Sequence, residues 1–529
     1  MQTYPPHQDV LAAERREDGS DAEIDTEAFI SYHGTEPANA LVPGHTTESG
    51  GVKIVGALFR GLVEYDPETG APNNAVAERI STTDSRVYTI TLKPGWTFHD
   101  GTPVTAASFV RAWNHTAYGP NGLHGAPFLA HIDGYAAVHP DDGTDPPATE
   151  LSGLRLVSDR EFVVTLSAPF SEFPVQLGAA AFFPLPESFF ADPGSFAAHP
   201  IGNGPFEFVS AEPGQNVRVR RYREYGGATK PHIGGVEFRF YTSTDAAYAD
   251  VIADRLDFTE VAPYSAMEDN RYLEELPGRA RNRTWFGIQT FTFPLHDGRY
   301  ADPRVRQAIS LAIDREALIA KVFFGQLEPA DGLVPPGIQG RRDTGPHELC
   351  TYQPVRAKQL FDESGFDGVI ELTSNTESSI LPYTELCAHV SRTLGRECRF
   401  VGVPTLAEFR QRIADRSVTA IYRSGWIADY PSIENFLNPI YRTGGSENHG
   451  GYSNPEVDDL LAKADAAPSQ QAGWQLYRQA EELILADMPA VPLWYQSTVS
   501  AWSTRLRDVR PTAFRELDLF SVRVAADPR

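Results

Sequence analysis

One short segment of the chain combines a guanidinium, an indole and a carboxylate around a glycine. Residues 423–431 read RSGWIADYP and follow an apolar run that is typical of a strand. The Asp429 carboxylate can pair with an ammonium group and the Arg423 guanidinium with a carboxylate, both through charge-assisted hydrogen bonds. Gly425 has no Cβ and allows a ligand to approach the backbone closely. The segment therefore suits a zwitterion.

The spacing of the two charges bears on the size of that ligand. Arg423 and Asp429 lie six positions apart, which is roughly 20 Å in a fully extended chain. That span exceeds one amino acid and suits a short peptide. A loop with one buried Trp and a structural Arg–Asp ion pair is the alternative, and the segment alone favours it, because structural ion pairs are common.

Motifs of enzyme active sites are missing from the sequence. There is no GxSxG, HExxH, Walker A, GxGxxG or EF-hand pattern. The fourteen histidines are scattered, with no spacing that would form a metal site. We therefore predict no catalytic residues, no metal ligands and no cofactor, and a protein that is not an enzyme.

The formal net charge is −24. Nucleic acid is a poor partner for such a chain, because phosphate binding needs a basic surface. The charge serves solubility, and it also favours cationic over anionic ligands, so peptides with Arg are expected to be preferred. No stretch of 18 apolar residues occurs, so no membrane-spanning helix is predicted. Residues 1–27 are polar and acidic, which predicts a disordered tail.

Helices and strands alternate in the last part of the chain, which is typical of an α/β domain. A first strand is predicted much earlier, over 28–33. A long helix is predicted over 303–324, because Pro303 stands at a first-turn position where its ring is tolerated. The alternating helices are predicted over 355–364, 383–394 and 406–415, and the strands over 369–373, 399–403 and 420–423.

The chain has three cysteines. Cys387 lies within a predicted helix and Cys398 just before the next strand. A helix that runs back to a strand can bring the two together, so a disulfide between them is compatible with the geometry that a bridge requires. No Cys or His spacing indicates zinc.

Seven motifs, taken in order, resemble one protein family. They are ALFRGLVEYDPETGAPNNAVAERI (57–80), YTITLKPGWTFHDGTPVTAASFVRAW (88–113), PIGNGPFEF (200–208), DPRVRQAISLAIDREALI (302–319), GWIADYPSIENFLNPIY (425–441), GYSNPEVDDLL (451–461) and MPAVPLWY (488–495). From about residue 28 to 525 the chain resembles the family 5 extracellular solute-binding proteins, in an actinobacterial type. These are the dipeptide-, oligopeptide- and nickel-binding components of ABC importers.

The resemblance implies an α/β, bilobal, periplasmic-binding-protein-like fold. A hinge joins the lobes, an extra domain packs on the first lobe, and ligand is enclosed when the lobes close. The implied first lobe combines residues 28–48, 183–284 and 497–529. The extra domain is 49–182 and the second lobe is 285–496.

The resemblance also implies roles for single residues. Asp429 receives the α-ammonium of a peptide, and Arg423 its carboxylate end. The backbone of Gly425 and Ile427 pairs with the peptide as a strand would. Residues at the exit of the first strand form the other side of that ladder, and further residues form the walls. The residues on the other side of the ladder are Glu36 and Ala38. The wall residues are Trp426, Tyr430, Asn448, His449 and Tyr452.

The implied function is extracytoplasmic binding of oligopeptides and their delivery to the permease subunits of an ABC transporter. We expect a monomer whose signal peptide has been removed and whose only membrane contact is a lipid anchor. One alternative is a different solute on the same scaffold, such as an oligosaccharide, an opine or an amino acid derivative. Another is a role in a specialised-metabolite pathway such as that of clavulanic acid. A chelated nickel ligand is disfavoured, because no His or Cys cluster is present.

Overall fold

The computed structural model describes residues 23–140, 143–377 and 380–526. The first part of the chain contributes many short elements. Its strands are β1 (Phe29–Gly34), β2 (Val63–Tyr65), β3 (Pro72–Asn74), β4 (Ala77–Ser81), β5 (Val87–Leu92), β6 (Leu154–Ser158), β7 (Glu161–Thr165), β8 (Phe206–Glu212), β9 (Asn216–Arg221), β10 (Gly235–Phe240) and β11 (Phe258–Thr259). Its helices are α1 (Ser49–Leu58), α2 (Ala106–Ala117), α3 (Tyr135–Val138), α4 (Phe173–Gln176), α5 (Glu187–Ala191), α6 (Pro193–Ala198), α7 (Thr244–Ile252), α8 (Tyr264–Met267) and α9 (Tyr272–Glu275).

The second part has longer elements. Its strands are β12 (Ala280–Thr292), β13 (Glu328–Pro329), β14 (Ile370–Asn375), β15 (Cys398–Val403), β16 (Ile421–Ile427), β17 (Ala490–Trp502), β18 (Leu506–Arg507) and β19 (Arg523–Val524). Its helices are α10 (Pro303–Leu311), α11 (Arg315–Phe323), α12 (Pro354–Ser364), α13 (Leu381–Leu394), α14 (Leu406–Ala414), α15 (Ile433–Tyr441), α16 (Pro455–Asp465) and α17 (Gln470–Asp487).

Two long strands connect the lobes of this α/β fold. The main sheet has the order β15-β14-β16-β12-β17-β11-β1-β10-β9-β8, with β13 also on β17. The start of β12 pairs with the end of β17 beside β11, and the end of β12 pairs with the start of β17 beside β16. The register shifts between Thr284 and Ile288, where the ladder passes from one side to the other. The result is the two-lobe, periplasmic-binding-protein-like fold.

Separate hydrophobic cores support the two sides of the sheet. One cluster unites the extra helices and strands around Trp113 with the first-lobe sheet around Phe238. Two other clusters hold the second side, one around Phe291 and Leu372 and one around Phe436. A core of its own is what a separately folding unit requires. The residue boundaries given above for the lobes and the extra domain stay predictions.

The predicted helix over 303–324 is wrong in one respect, because it is two helices. Helix α10 ends at Leu311 and α11 begins at Arg315. The Asp314 side chain accepts a hydrogen bond from the backbone N–H of Ala317 at 2.9 Å and caps the second helix. An N-cap residue has non-helical dihedral angles, so Asp314 interrupts the helix that the apolar spacing alone extends. The alternating helices and strands after residue 354 are confirmed within one or two residues, apart from β16, which extends to Ile427.

The two chain ends and the cysteines complete the fold. Residues 1–22 of the predicted tail lie outside the described residues. Ile24 forms an antiparallel bridge with Ala525, so the disordered tail does not extend to residue 27 as predicted. The disulfide between Cys387 and Cys398 is confirmed, and Cys350 is free and buried.

Candidate ligand-binding site

A cavity of about 660 Å³ opens beside β16. Its walls come from β12, α14, β16, α15 and the loop that follows α15. This volume is within the usual range of small-molecule and peptide sites. The cavity brings together seven of the residues predicted from the sequence: Arg423, Gly425, Trp426, Ile427, Asn448, His449 and Tyr452.

One edge of β16 is available to a ligand. Strand β12 pairs along residues 423–427, whereas β14 pairs with β16 only at Ile421 and Tyr422 among the described ladders. The N–H of Ala428 donates to the Phe286 carbonyl on β12 at 2.9 Å. Because backbone groups alternate along a strand, those of residues 425 and 427 project away from β12. This edge can pair with an extended chain.

The packing of β16 against β12 explains why residue 425 is a glycine, which the sequence did not reveal. A Cβ built at this position would lie 2.5 Å from the carbonyl oxygen of Ile288 on β12. The missing side chain therefore allows β16 to lie close to its neighbouring strand. The expected close approach to a ligand is not needed to explain this glycine.

Asp429 follows β16 and is held by one buried amide. Asn435, in the first turn of α15, donates its Nδ2 hydrogen to Asp429 Oδ2 at 3.2 Å. Its Oδ1 accepts from the backbone N–H of Asp429 at 2.9 Å and from the indole N–H of Trp426 at 3.0 Å. Asn435 is 2% exposed, so its own position is fixed. One side chain thus orients both the carboxylate and the indole.

The carboxylate of Asp429 remains open to a partner. The Asp429 side chain is exposed to solvent, yet nearby protein atoms displace much of the water around its carboxylate. Desolvation raises the pKa of the Asp429 carboxyl, and the hydrogen bond from Asn435 partly offsets that rise. A cation placed here would favour the charged form. Asp429 is not among the residues that line the cavity, but it follows the strand edge and its charge suits an ammonium group.

Arg423 lies at the other end of the same strand edge. No ion pair or side-chain hydrogen bond joins it to any described residue, so the predicted alternative of a structural Arg423–Asp429 ion pair is wrong. Its Nε is shielded from solvent and has no hydrogen-bond partner among the described residues. A buried charged donor without a partner is unfavourable, which leaves this guanidinium available to an anion.

Three predicted wall residues make contacts within the chain. Tyr430 is 5% exposed and donates its hydroxyl to Glu434 Oε2 at 2.5 Å. It is not among the residues that line the cavity, and its hydroxyl is bonded to α15 instead. The Asn448 amide donates to the Tyr452 carbonyl at 2.7 Å, and the Tyr452 hydroxyl donates to Asp487 at 2.7 Å. The last two residues shape the wall, but their polar groups are already paired.

The remaining predicted residues differ in position. His449 is on the wall and lies 3.4 Å from the Glu447 carboxylate. Glu36 and Ala38 are not part of this cavity. The Glu36 carboxylate accepts from the Gly214 N–H at 2.8 Å, and the Ala38 N–H donates to a Glu48 oxygen at 3.0 Å.

Sequence reasoning missed Asn435 and the contribution of α14. Asn435 stands three residues after the Ser432 N-cap, a position whose side chain often takes part in capping, and this could have drawn attention to it. Helix α14 places Leu406, Phe409, Arg410 and Ile413 on the cavity. Their i, i+3, i+4, i+7 spacing is a helical face that was visible in the sequence, but nothing there indicated which surface it covers.

A second polar cluster lies on the opposite face of α15, against the region after β7. Glu172 is fully buried; its Oε2 accepts from the Ser432 hydroxyl at 2.8 Å and its Oε1 from the Trp474 indole N–H at 3.1 Å. Desolvation raises the pKa of Glu172 to about 8. Glu172 thus joins the segment that precedes α4 to the second lobe.

Two more carboxylates complete this buried cluster. Asn438 Nδ2 donates to Glu434 Oε1 at 2.8 Å and to Asp465 Oδ1 at 2.9 Å. The Arg442 guanidinium lies 2.9 Å from Asp465 Oδ2. Desolvation, followed by the charge of Asp465, raises the pKa of Glu434 to about 7. We refer to Glu172, Glu434 and Asp465 as the carboxylate cluster.

Two further properties of the described residues bear on the site. Among residues 23–140, 143–377 and 380–526, no three His, Cys, Asp or Glu side chains are grouped as metal ligands would be. In the same part of the chain, every helix is too short or too polar to cross a bilayer.

Comparison with known proteins identifies the family. The family described as "Bacterial extracellular solute-binding proteins, family 5 Middle" matches residues 71–448. The probable deoxycholate-binding periplasmic protein YgiS of Escherichia coli K12 is 28% identical over 484 residues, covering 88% of each chain. The unliganded open form of the murein tripeptide-binding protein MppA superimposes with a TM-score of 0.83 at 22% identity, over 96% of this chain and 99% of that one.

A peptide complex has the same fold. The ABC transporter-associated periplasmic binding protein DppA of Helicobacter pylori, in complex with the peptide STSA, has a TM-score of 0.72 at 18% identity. The superposition covers 94% of this chain and 98% of that one. The family match spans most of the sequence, and both structures share the two-lobe architecture. The chain belongs to the family 5 bacterial extracellular solute-binding proteins.

Proposed function

We propose that this protein binds short peptides between its two lobes and delivers them to the permease subunits of an ABC importer. The observation that supports this most is the free edge of β16, which lies between an unpaired guanidinium at Arg423 and an open carboxylate at Asp429. A peptide presents the complementary set, which is a backbone to extend the sheet and opposite charges at its two ends. Oligosaccharides lack both features.

The charges define the direction of the bound peptide. Asp429 receives the α-ammonium, and Arg423 the carboxylate end. Since β16 runs from Arg423 towards Asp429, the peptide lies antiparallel to the strand. The N–H and C=O groups of Gly425 and Ile427 then pair with its backbone, and Trp426 is held beside it through Asn435.

Lobe closure would complete the site. Glu36 and Ala38 follow β1 in the first lobe and are bonded to Gly214 and Glu48 in the described state. We propose that closure brings this segment to the other side of the peptide, where it forms the second half of the ladder. Enclosure between lobes is the usual way in which two-lobe binding proteins retain a ligand.

The relatives support the broader parts of this proposal. MppA is described as a tripeptide-binding protein, and DppA as transporter-associated and peptide-bound. We infer the same extracytoplasmic, non-enzymatic role here, for a monomer with a removed signal peptide and a lipid anchor. We do not propose the predicted preference for cationic peptides. The two unpaired charges on the cavity wall are arginines, which repel a cationic ligand.

A different solute is the second candidate. YgiS is described as a probable deoxycholate-binding protein, and the cavity has apolar walls from Leu406, Phe409 and Phe436. A rigid amphiphile with one carboxylate could lie against these side chains and pair with Arg423. Such a ligand would leave Asp429 and the strand edge without partners, so the peptide explains more of the site.

A thermal-shift screen separates the two candidates. Di- to pentapeptides, oligosaccharides and deoxycholate are each added to the purified protein, and the melting temperature is recorded. A ligand that binds only the folded state raises it by an amount that grows with the logarithm of the ligand concentration relative to Kd. We expect shifts with peptides alone. A shift in melting temperature with deoxycholate or a sugar, and none with any peptide, would contradict the peptide proposal.

A further inference from the structure

The cavity wall has two cations that no described residue neutralises. They are Arg423 on β16 and Arg410 on α14. Neither has an ion pair or a side-chain hydrogen bond within the described residues. The wall also carries the Glu447 carboxylate, which lies 3.4 Å from the His449 ring. The cavity therefore differs in charge from the rest of an acidic chain.

Helix α14 determines where Arg410 points. Leu406, Phe409 and Ile413 line the cavity together with Arg410, and this spacing places all four on one helical face. On another face of the same helix, Arg412 is paired with Glu408 at 2.5 Å. Arg410 is thus the cation that α14 directs to the cavity, and it stands among apolar side chains.

Such a wall matches a particular kind of ligand side chain. Methylene groups can pack against Leu406 and Phe409, while a terminal carboxylate reaches the Arg410 guanidinium. Guanidinium–carboxylate pairs are directional and are often bidentate. The carboxylate end of the peptide already accounts for Arg423, whereas Arg410, which is exposed on the cavity wall, is available to a second anion.

We propose that this site selects acidic peptides, with Arg410 binding a carboxylate side chain of the ligand. This inference rests on the proposed peptide function and names the substrate class. It reverses the preference that the net charge of −24 suggested. Net charge describes the average field, whereas a ligand inside the cavity responds mainly to the charges nearest to it.

Calorimetry with matched peptides tests the inference. The ligands are alanine tripeptides with one Glu at the first, second or third position, and the same peptides with Gln. At one position or more, the Glu peptide should bind up to about fivefold more tightly than its Gln counterpart, as expected for an exposed ion pair. R410Q should remove this difference. R412Q is the matched control, because it removes a charge from the same helix outside the cavity and should preserve the difference.

The outcomes separate this inference from the function on which it rests. Equal binding of Glu and Gln peptides at every position overturns the acidic preference and leaves the peptide function intact. A Glu preference that R410Q retains, or that R412Q also removes, overturns the role of Arg410. If none of the tripeptides binds, the peptide function itself is contradicted.

Discussion

Helix α15 separates two polar regions, the carboxylate cluster and the cavity wall. The charged groups of the first are paired within the protein, and, among the described residues, the arginines of the second are not. On one side, the carboxylate cluster is buried, and each of its carboxylates accepts hydrogen bonds from within the protein. On the other side, Arg423 and Arg410 border a cavity without partners. Paired groups stabilise a fixed contact, whereas unpaired groups inside a cavity remain available to a ligand. Both sides carry ionisable side chains, acidic in the cluster and basic at the cavity, and the acidic ones are paired within the protein whereas, in the part of the chain that the structure describes, the basic ones are not.

The largest effect is expected from the charge of Glu172. Burial raises its pKa from 4.5 to about 8. Between these pH values the folded protein keeps a proton that the unfolded chain releases, so this group stabilises the fold fully below about pH 4.5 and loses that contribution as pH rises to about 8. At about 1.4 kcal/mol per pKa unit, the loss is on the order of several kcal/mol. Glu172→Gln should therefore become more stable relative to the native protein as pH rises.

Urea unfolding from pH 4.5 to 8 provides the measurement. Glu274→Gln is the control, because it removes a carboxylate that is exposed to solvent. If the difference in stability between Glu172→Gln and the native protein is constant with pH, Glu172 does not keep its proton, and the carboxylate cluster is not as described.

A smaller effect is expected at two asparagines on α15. Asn435→Ala removes the partner of both Asp429 and Trp426, and Asn438→Ala removes a donor to the carboxylate cluster. Each should lower the free energy of unfolding by about 1–3 kcal/mol, because buried groups lose their hydrogen bonds.

Peptide affinity should separate the two variants. Asn435→Ala should bind peptides about tenfold more weakly, which is a loss of about 1.4 kcal/mol, because Asp429 and Trp426 lose the side chain that orients them. Asn438→Ala should bind like the native protein. Titration calorimetry of both variants with one peptide is sufficient. Equal losses of affinity would mean that the two sides of α15 are not independent.

The smallest effect concerns the strand edge. Methylation of a central amide of the peptide removes one hydrogen bond to β16, and should weaken binding by about 0.5–1.5 kcal/mol. The competition assay compares each peptide with its methylated counterpart at every amide. If no position is sensitive, the backbone groups of Gly425 and Ile427 do not pair with the ligand.

Much of the fold was predictable because it depends on local patterns. Apolar spacing located the helices after residue 354, and cysteine placement was compatible with the disulfide that the structure has. The break before α11 was missed, since Asp314 acts through a cap that interrupts an otherwise continuous helical pattern. Local patterns thus give elements more reliably than their ends.

The site was predictable only in part. The motif that contains Asp429 and Arg423 is contiguous, so the family resemblance could locate it. Asn435 and Arg410 act across elements, and their partners or surfaces depend on how α14 and α15 pack beside β16. The wall role assigned to Tyr430 failed for the same reason, because its hydroxyl reaches Glu434 instead.

The proposed function depends most on the contact between Asp429 and the ammonium group of a peptide. Titration calorimetry of the native protein and of Asp429→Asn, with one peptide and its N-acetylated form, tests it most directly. We expect the native protein to prefer the free amine by about 2–5 kcal/mol, as for a close charge pair, and Asp429→Asn to lose this preference. Equal affinity of the native protein for both forms, or an unchanged preference in Asp429→Asn, would contradict this role of Asp429.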